Sequence, residues 1–210
     1  ITPDGDYACF ESDADNLVTT DTNGAKDIFV RDLVNNTIEI GSYYSGTTQL
    51  SGNSYAGDIS DTGAYVTFLT DSAGVGQPAG GKCLWAHNRF SGTGTFRARD
   101  VNSNPLSGLL VTDWSSNANL LNGGVFLNAQ ATGLPSDLPG NYDGYIWNLG
   151  RLLPVSASTF ANGASSDPAV SDDGRWVTFA SSSSNLIAND NNGVIDIFLK
   201  DMDTGETSRV

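Results

Sequence analysis

The chain is poor in the residues that carry most protein chemistry: its 210 residues include one His, two Cys and one Met. Basic residues are also scarce, 10 Lys and Arg against 24 Asp and Glu, for a formal charge of −14. A surface of that sign repels phosphate backbones and excludes nucleic acid as a partner. Apolar runs are only a few residues long, too short to span a membrane. The sequence has no Gly-x-Ser-x-Gly elbow, no phosphate-cradling glycine loop and no dinucleotide fingerprint, and no Cys–His spacing that suggests a nucleophile and its base. The lone histidine, His87, reads as a strand-end packing residue rather than a base. Cys9 and Cys83 each sit beside an apolar residue in a predicted strand and read as buried thiols. An oxidising compartment would permit a disulfide, but the spacing does not indicate one. The chain opens on Ile1, with neither an initiator Met nor a signal peptide, and is expected to be a mature form, a fragment or a portion of something longer.

What is present is repetition. Asp4-Gly5-Asp6-Tyr7-Ala8-Cys9-Phe10 returns as Asp61-Thr62-Gly63-Ala64-Tyr65-Val66-Thr67-Phe68 and as Asp172-Asp173-Gly174-Arg175-Trp176-Val177-Thr178-Phe179. A fourth version keeps Val125-Phe126 and has lost the Asp-Gly. The closing Phe falls at 10, 68, 126 and 179, a period of roughly 55 residues. A second signature, Asp21-Thr22-Asn23-Gly24-Ala25-Lys26-Asp27-Ile28-Phe29-Val30-Arg31-Asp32, reappears as Asp190-Asn191-Asn192-Gly193-Val194-Ile195-Asp196-Ile197-Phe198-Leu199-Lys200-Asp201. A shift of 169 superposes both signatures without a gap, and a shift of 116 carries the first copy onto the third, where Asp137, Gly140 and Asp143 keep the acidic skeleton. The second copy needs a three-residue deletion to place Cys83-Leu84-Trp85 on Ile28-Phe29-Val30.

Each copy reads as four short strands. An Asp-Gly turn ends the first, Tyr-Val-x-Phe is the second, Asp-Ile-Phe-Val-Arg-Asp the third, and a polar turn leads to the fourth. Helical periodicity is absent. The fold class is therefore all-β, a propeller of four-stranded antiparallel blades, with units at about 1–54, 55–107, 108–164 and 165–210. Ser/Thr-x-Asp-Gly-x-Tyr-Val-x-Phe followed by Asp-x-Asn-Gly-x-x-Asp-Ile-Phe-Val-x-Asp resembles the TolB-like (WD40-like, PD40) repeats of bacterial envelope and secreted proteins. The resemblance covers the first and fourth units almost throughout, the third well and the second weakly. It implies a propeller, and an extracellular or periplasmic location, without implying an activity. The first unit opens within its innermost strand, so the expectation is part of a larger ring or one completed by a partner.

Two constellations stand out. In the loop before the third strand, Asp21, Asn23 and Asp27, and likewise Asp190, Asn192 and Asp196, offer hard oxygen ligands at alternate positions around a glycine, as a calcium clip would. The same residues also suit a hydrogen-bonded Asx turn, with Leu17 and Leu186 plugging the core beneath. The other constellation lies in the divergent second copy, where Trp85, His87, Arg89, Phe96 and Arg97 gather basic and aromatic residues in an acidic chain. It reads as a binding face or subunit contact, or as drift of a blade that still packs.

The balance of these features points away from an enzyme. It favours a secreted or envelope propeller that binds proteins or self-assembles, with calcium as the one cofactor the loops suggest. The alternatives are the substrate-gating propeller of a larger hydrolase and a subunit of an extracellular filament or surface layer.

Overall fold

The computed structural model describes residues 1–73, 82–96, 107–116, 125–132, 143–148, 151–155, 161–171 and 173–210. Every regular element among them is a β-strand, and every strand pairing is antiparallel. The chain forms two compact units, Ile1–Ala98 and Arg99–Val210.

The first unit holds two larger sheets and a small hairpin. Strands β1 (Tyr7–Ser12), β2 (Asp27–Asp32) and β3 (Thr37–Ile40) form a three-stranded sheet in that order. A hairpin of β4 (Tyr43–Ser45) and β5 (Thr48–Gln49) follows, then a four-stranded sheet of β6 (Ser54–Ile59), β7 (Tyr65–Thr70), β8 (Cys83–Asn88) and β9 (Thr93–Phe96). In the second unit, β10 (Ser107–Ser116), β11 (Val125–Thr132), β12 (Asp143–Asn148) and β13 (Arg151–Pro154) make one sheet. A second is made by β14 (Ser165–Val170), β15 (Trp176–Ser181), β16 (Asp196–Asp201) and β17 (Thr207–Arg209). In each sheet the strands lie in chain order, the simple meander that short polar turns produce.

Among the described residues, the turns before β1, β7 and β15 repeat one device. The hydroxyls of Thr2, Ser60 and Ser171 accept the backbone N–H of Tyr7, Tyr65 and Trp176 at 3.0, 2.9 and 2.9 Å. Beyond the next strand, Asp32 Oδ1 accepts from the N–H groups of Val34 and Asn35, and Asp201 Oδ1 from those of Asp203 and Thr204. Asn88 Oδ1 does the same for Phe90 and Ser91. This corrects the expected alignment of the second copy. Ser12 pairs with Asp27 and Thr70 pairs with Cys83, so Cys83 stands at the place of Asp27. The deletion is of two residues, His87 occupies the place of Arg31, and Asn88 that of Asp32. An acceptor at the strand end fixes the register, and an amide oxygen serves as well as a carboxylate.

Two features were not anticipated. Strands β6 and β14, each the first of its sheet, carry a bulge, with Ala56 and Asp167 both at φ 50° and a register shift at that point. The β4–β5 hairpin is the other; its signal is Tyr43-Tyr44-Ser45 and Thr48-Gln49 around Gly46, which lies at φ 58°.

The sheets of the first unit pack face to face. Ile28 and Val30 of β2 are fully buried, and Val66 of β7 meets Val30 beside Gly41. At the bulge, Gly57 of β6 lies so close to Ile28 that any Cβ would overlap its side chain. In the second unit, Val177, Phe179 and Phe198 form a core with Val155, and Val170, Leu186, Ile187 and Met202 pack around it. Phe179 and Phe198 stack at 5.7 Å. Leu186 thus plugs the core as the repeat suggests.

Gly57→Val should force Ile28 off its rotamer and lower stability by about 1–3 kcal/mol, read as a reduced midpoint in urea with an unchanged slope.

Candidate functional site

The Asp-x-Asn-Gly-x-x-Asp loop of the first unit is built around Asp27, the first residue of β2. Its carboxylate is buried, accepting the Ser42 hydroxyl at 2.6 Å on Oδ1 and the Asn23 amide at 2.8 Å on Oδ2. Ser42 Oγ in turn accepts the N–H of Ile28 at 3.0 Å, so one hydroxyl ties the strand start to the segment after β3. Asn23 Oδ1 accepts the N–H of Ala25 at 2.9 Å, an Asx turn, and its amide also donates to the Leu50 carbonyl at 2.9 Å. Gly24, at φ 63°, takes the left-handed conformation that this turn needs. Asp21 Oδ1 receives the Gln49 amide at 3.1 Å from β5, and Gln49 Oε1 accepts both the N–H and the hydroxyl of Thr22. Burial pushes the Asp27 carboxyl above its usual range, outweighing the bonds from Ser42 and Asn23.

The fourth copy repeats the turn and changes its surroundings. Asn192 donates to Asp196 at 2.8 Å and accepts from Val194 at 3.2 Å, with Gly193 at φ 70°. Here Arg209 of β17 sits between the two carboxylates, 3.0 Å from Asp190 and 3.1 Å from Asp196. The equivalent residue in the first copy is Ile40, because Phe29 pairs with Ile40 as Phe198 pairs with Arg209. A guanidinium therefore balances the fourth pair of aspartates, while a serine and a glutamine from the following chain hold the first. The lysine and arginine content is low, and one of the ten cations is spent on this loop.

As a metal centre the loop fits poorly in this arrangement. The oxygen of Asn23 is turned to Ala25, and its amide hydrogens face both Asp27 and Leu50, where a cation would need an oxygen. Among the described residues, no three His, Cys, Asp or Glu side chains converge as a metal-binding group. What the geometry does is fasten a long loop to the sheet and to the next segment of chain.

The residues of the divergent second copy face their own unit. Trp85 is buried on β8, with Tyr44 of β4 stacked on it at 5.3 Å. The hairpin can approach because Gly94 of β9 has no side chain, and a Cβ there would overlap the Tyr44 carbonyl and the Trp85 ring. His87 is also buried, edge-on to Tyr43 at 5.8 Å, with no hydrogen-bond partner for Nδ1 among the described residues. Burial depresses its basicity, with Glu39 pulling the other way and Arg89 reinforcing it. Arg89 reaches across to the first sheet: it pairs with Glu39, donates to the Gly63 carbonyl and lies 4.5 Å from the centre of the Tyr7 ring. Trp85, His87 and Arg89 thus clamp the hairpin and the two sheets together. The side chain of Phe96 and all of Arg97 lie outside the described residues. Phe90, next to Arg89, is exposed.

Both thiols are free, and burial raises each to about 12. Burial thus disfavours the thiolate form of each.

No family model and no curated protein matches the chain. Solved structures do. TolB from Acinetobacter baumannii is 15% identical with a TM-score of 0.54, the match covering 99% of this chain and 41% of that one. A putative TolB from Agrobacterium tumefaciens is 16% identical, with a TM-score of 0.57 and coverage of 100% and 62%. The β-propeller domain of the Trilobed protease from Pyrococcus furiosus, described as having an open velcro topology, is 12% identical. Its TM-score is 0.57, and the match covers 100% of this chain and 54% of that one. Likeness at these identities is likeness of fold: the chain is all-β, built of antiparallel sheets, and its structural neighbours are TolB and related propeller domains. The chain spans less than two thirds of each of these three.

Asn23→Ala removes the Asx turn and leaves the buried Asp27 short of a donor, and should cost about 1–3 kcal/mol in chemical denaturation. A loop held by hydrogen bonds also predicts a wild-type melting temperature indifferent to calcium and to chelator; a rise with calcium would establish the metal reading instead. His87 generates a pH dependence. Because its folded pKa is depressed, the unfolded chain binds the extra proton first, so its contribution to stability is complete above about pH 6.5 and is lost as pH falls below that. The melting temperature of His87→Phe should fall less steeply than wild type between pH 7 and pH 5; equal slopes would remove His87 from that role.

Proposed function

We propose that the chain is a non-enzymatic β-propeller scaffold of the cell envelope or extracellular space that binds protein partners or assembles with itself. The observation carrying this reading is how the recurrent polar residues are used. The aspartates, asparagines and hydroxyls that recur from copy to copy bond to the ends of their own strands and loops. They build rigid sheets and leave the remaining surface for recognition. The histidine lies under a tyrosine and the thiols are held protonated, so the groups best suited to chemistry serve packing. The likeness to TolB fits a binding or scaffold role, and the strongly acidic surface suits a protein kept soluble outside the cell. Calcium has a place in this reading only if the Asn23 amide turns over to present its oxygen.

A second reading, the substrate-gating propeller of a larger hydrolase, is favoured by one observation: a propeller domain of a protease superposes on the full length of this chain.

Isolation of the native protein from envelope and extracellular fractions, followed by light scattering and cross-linking mass spectrometry, tests the proposal. The expected result is a stoichiometric complex, with a second protein or with further copies. A native protein that runs as a lone monomer in both fractions would overturn it. Recovery joined to a catalytic α/β domain would put the hydrolase reading in its place.

A further inference from the structure

The β4–β5 hairpin is pinned firmly at its two ends and held lightly between them. Before it, the N–H groups of Gly41 and Ser42 both donate to the Ile28 carbonyl, at 2.6 and 3.3 Å, and Ser42 is buried. After it, Leu50 is buried and its carbonyl accepts the Asn23 amide, while the N–H of Ser51 donates to Ser72 Oγ at 2.9 Å. Between these anchors the hairpin is a two-stranded sheet of its own, separate from the four-stranded sheet that it covers. Among the described residues, one backbone hydrogen bond joins the two, from the Gly46 N–H at the hairpin tip to the Gly92 carbonyl in the β8–β9 turn, at 2.6 Å. Over β8 the hairpin rests on rings, Tyr44 stacked on Trp85 and Tyr43 edge-on to His87.

Closure leaves two ring nitrogens unmet. Trp85 and His87 stand two residues apart on β8 and so share a face of the strand. Both are buried, and neither Trp85 Nε1 nor His87 Nδ1 has a hydrogen-bond partner among the described residues. A buried polar atom without a partner opposes the arrangement that buries it, because opening returns it to water. The aromatic area under the hairpin therefore favours closure, and the nitrogens favour release.

The place of His87 in the repeat otherwise holds a lysine or an arginine. His87 pairs with Val66 as Arg31 pairs with Ala8 and Lys200 with Val177. Each of those cations bonds to the residue five positions on, in the turn that follows: Arg31 to the side-chain oxygen of Asn36, and Lys200 to the Gly205 carbonyl at 2.7 Å. The matching residue in the second copy is Gly92, and its carbonyl is the one that Gly46 occupies. The hairpin tip thus fills the acceptor that a charged side chain uses in the fourth copy. Nothing else around His87 is free to receive a proton's charge. Glu39 of β3 is paired with Arg89, which follows two residues later on β8; β4 brings only the Tyr43 ring; and the strand partners Val66 and Gly94 are uncharged. Burial depresses the basicity of the imidazole, with Glu39 opposing and Arg89 reinforcing the effect.

We propose that the β4–β5 hairpin is an acid-opened lid: proton uptake by His87 lifts Tyr43 and Tyr44 from β8, releases the Gly92 carbonyl and uncovers Trp85. The closed lid favours neutral imidazole, whereas the open one holds His87 in water at its ordinary affinity for a proton. Opening is therefore coupled to proton uptake, and falling pH drives it. What acid exposes is a set of aromatic side chains on one sheet face, a surface of the kind that anchors protein contacts. The device lies within the first unit and does not depend on the scaffold reading.

Hydrogen exchange of the 210-residue protein, read by mass spectrometry at about pH 7.5 and pH 5 and corrected for the intrinsic rate at each, tests the lid on either side of the ordinary histidine range. Protection of the segment from Tyr43 to Gln49, including the Gly46 amide, should fall by about tenfold or more in acid, while β7 keeps its protection. His87→Phe should keep the segment protected at both pH values. His87→Lys should leave it unprotected at both, with the ammonium on the Gly92 carbonyl as Lys200 is on Gly205. Protection of β7 in each variant reports that the sheet beneath has folded, and the wild-type comparison stands without either variant. Equal protection of the wild-type segment at the two pH values, a loss that persists in His87→Phe, or a loss shared equally by β7 would overturn the inference.

Discussion

A short antiparallel sheet has two faces and buries neither without a neighbour, and most of this structure follows from that constraint. Four strands of about six residues offer only a small apolar area, so each sheet depends on the next one for its core. In the first unit the dependence is visible at the bulge of β6. Ala56 enters an unfavourable backbone region so that Gly57 can press against Ile28, and Val66 closes on Val30. The second unit reaches the same end where Val155, just after β13, packs with Val177, Phe179 and Phe198 of the next sheet.

The polar motif serves this packing rather than competing with it. Asp27 lies at the start of a buried strand, where an unpaired N–H would be costly, and the Ser42 hydroxyl resolves the cost by bonding both the carboxylate and Ile28. The fourth copy keeps the aspartates and asparagine but hands their neutralisation to Arg209. The same backbone trace is thus held by different partners in different copies. What recurs is the turn, while the groups that fasten it depend on the chain that follows.

The second copy shows how an internal contact can imitate a functional patch. Its basic and aromatic residues look exceptional along the chain, although the corrected register places Trp85 on Phe29 and His87 on Arg31. In three dimensions they answer to the β4–β5 hairpin, which lays Tyr43 against His87 and Tyr44 against Trp85 over the gap left by Gly94. Arg89 then bridges to the first sheet. The likeness to TolB and to a protease propeller domain concerns the sheets, and leaves these local contacts as properties of this chain.

The strands of the repeated sheets, their turn chemistry and the repeat itself were legible in the sequence because they are local. Asp-Gly turns, alternating aromatic and β-branched residues and the acidic loops announce themselves within a few positions, and they recur at a shift of 169 without a gap. The Asx turn at Asn23 was likewise one of two readings open from spacing alone. Tertiary structure alone decided the partners: that Leu50 and Gln49 from the hairpin region hold Asn23 and Asp21, that the second copy is shorter by two residues rather than three, and that Trp85 and His87 point inward. It also decided which face of each sheet is covered. Those outcomes depend on contacts between segments distant along the chain, and a side chain fit for burial looks the same in sequence whether its neighbour arrives or not.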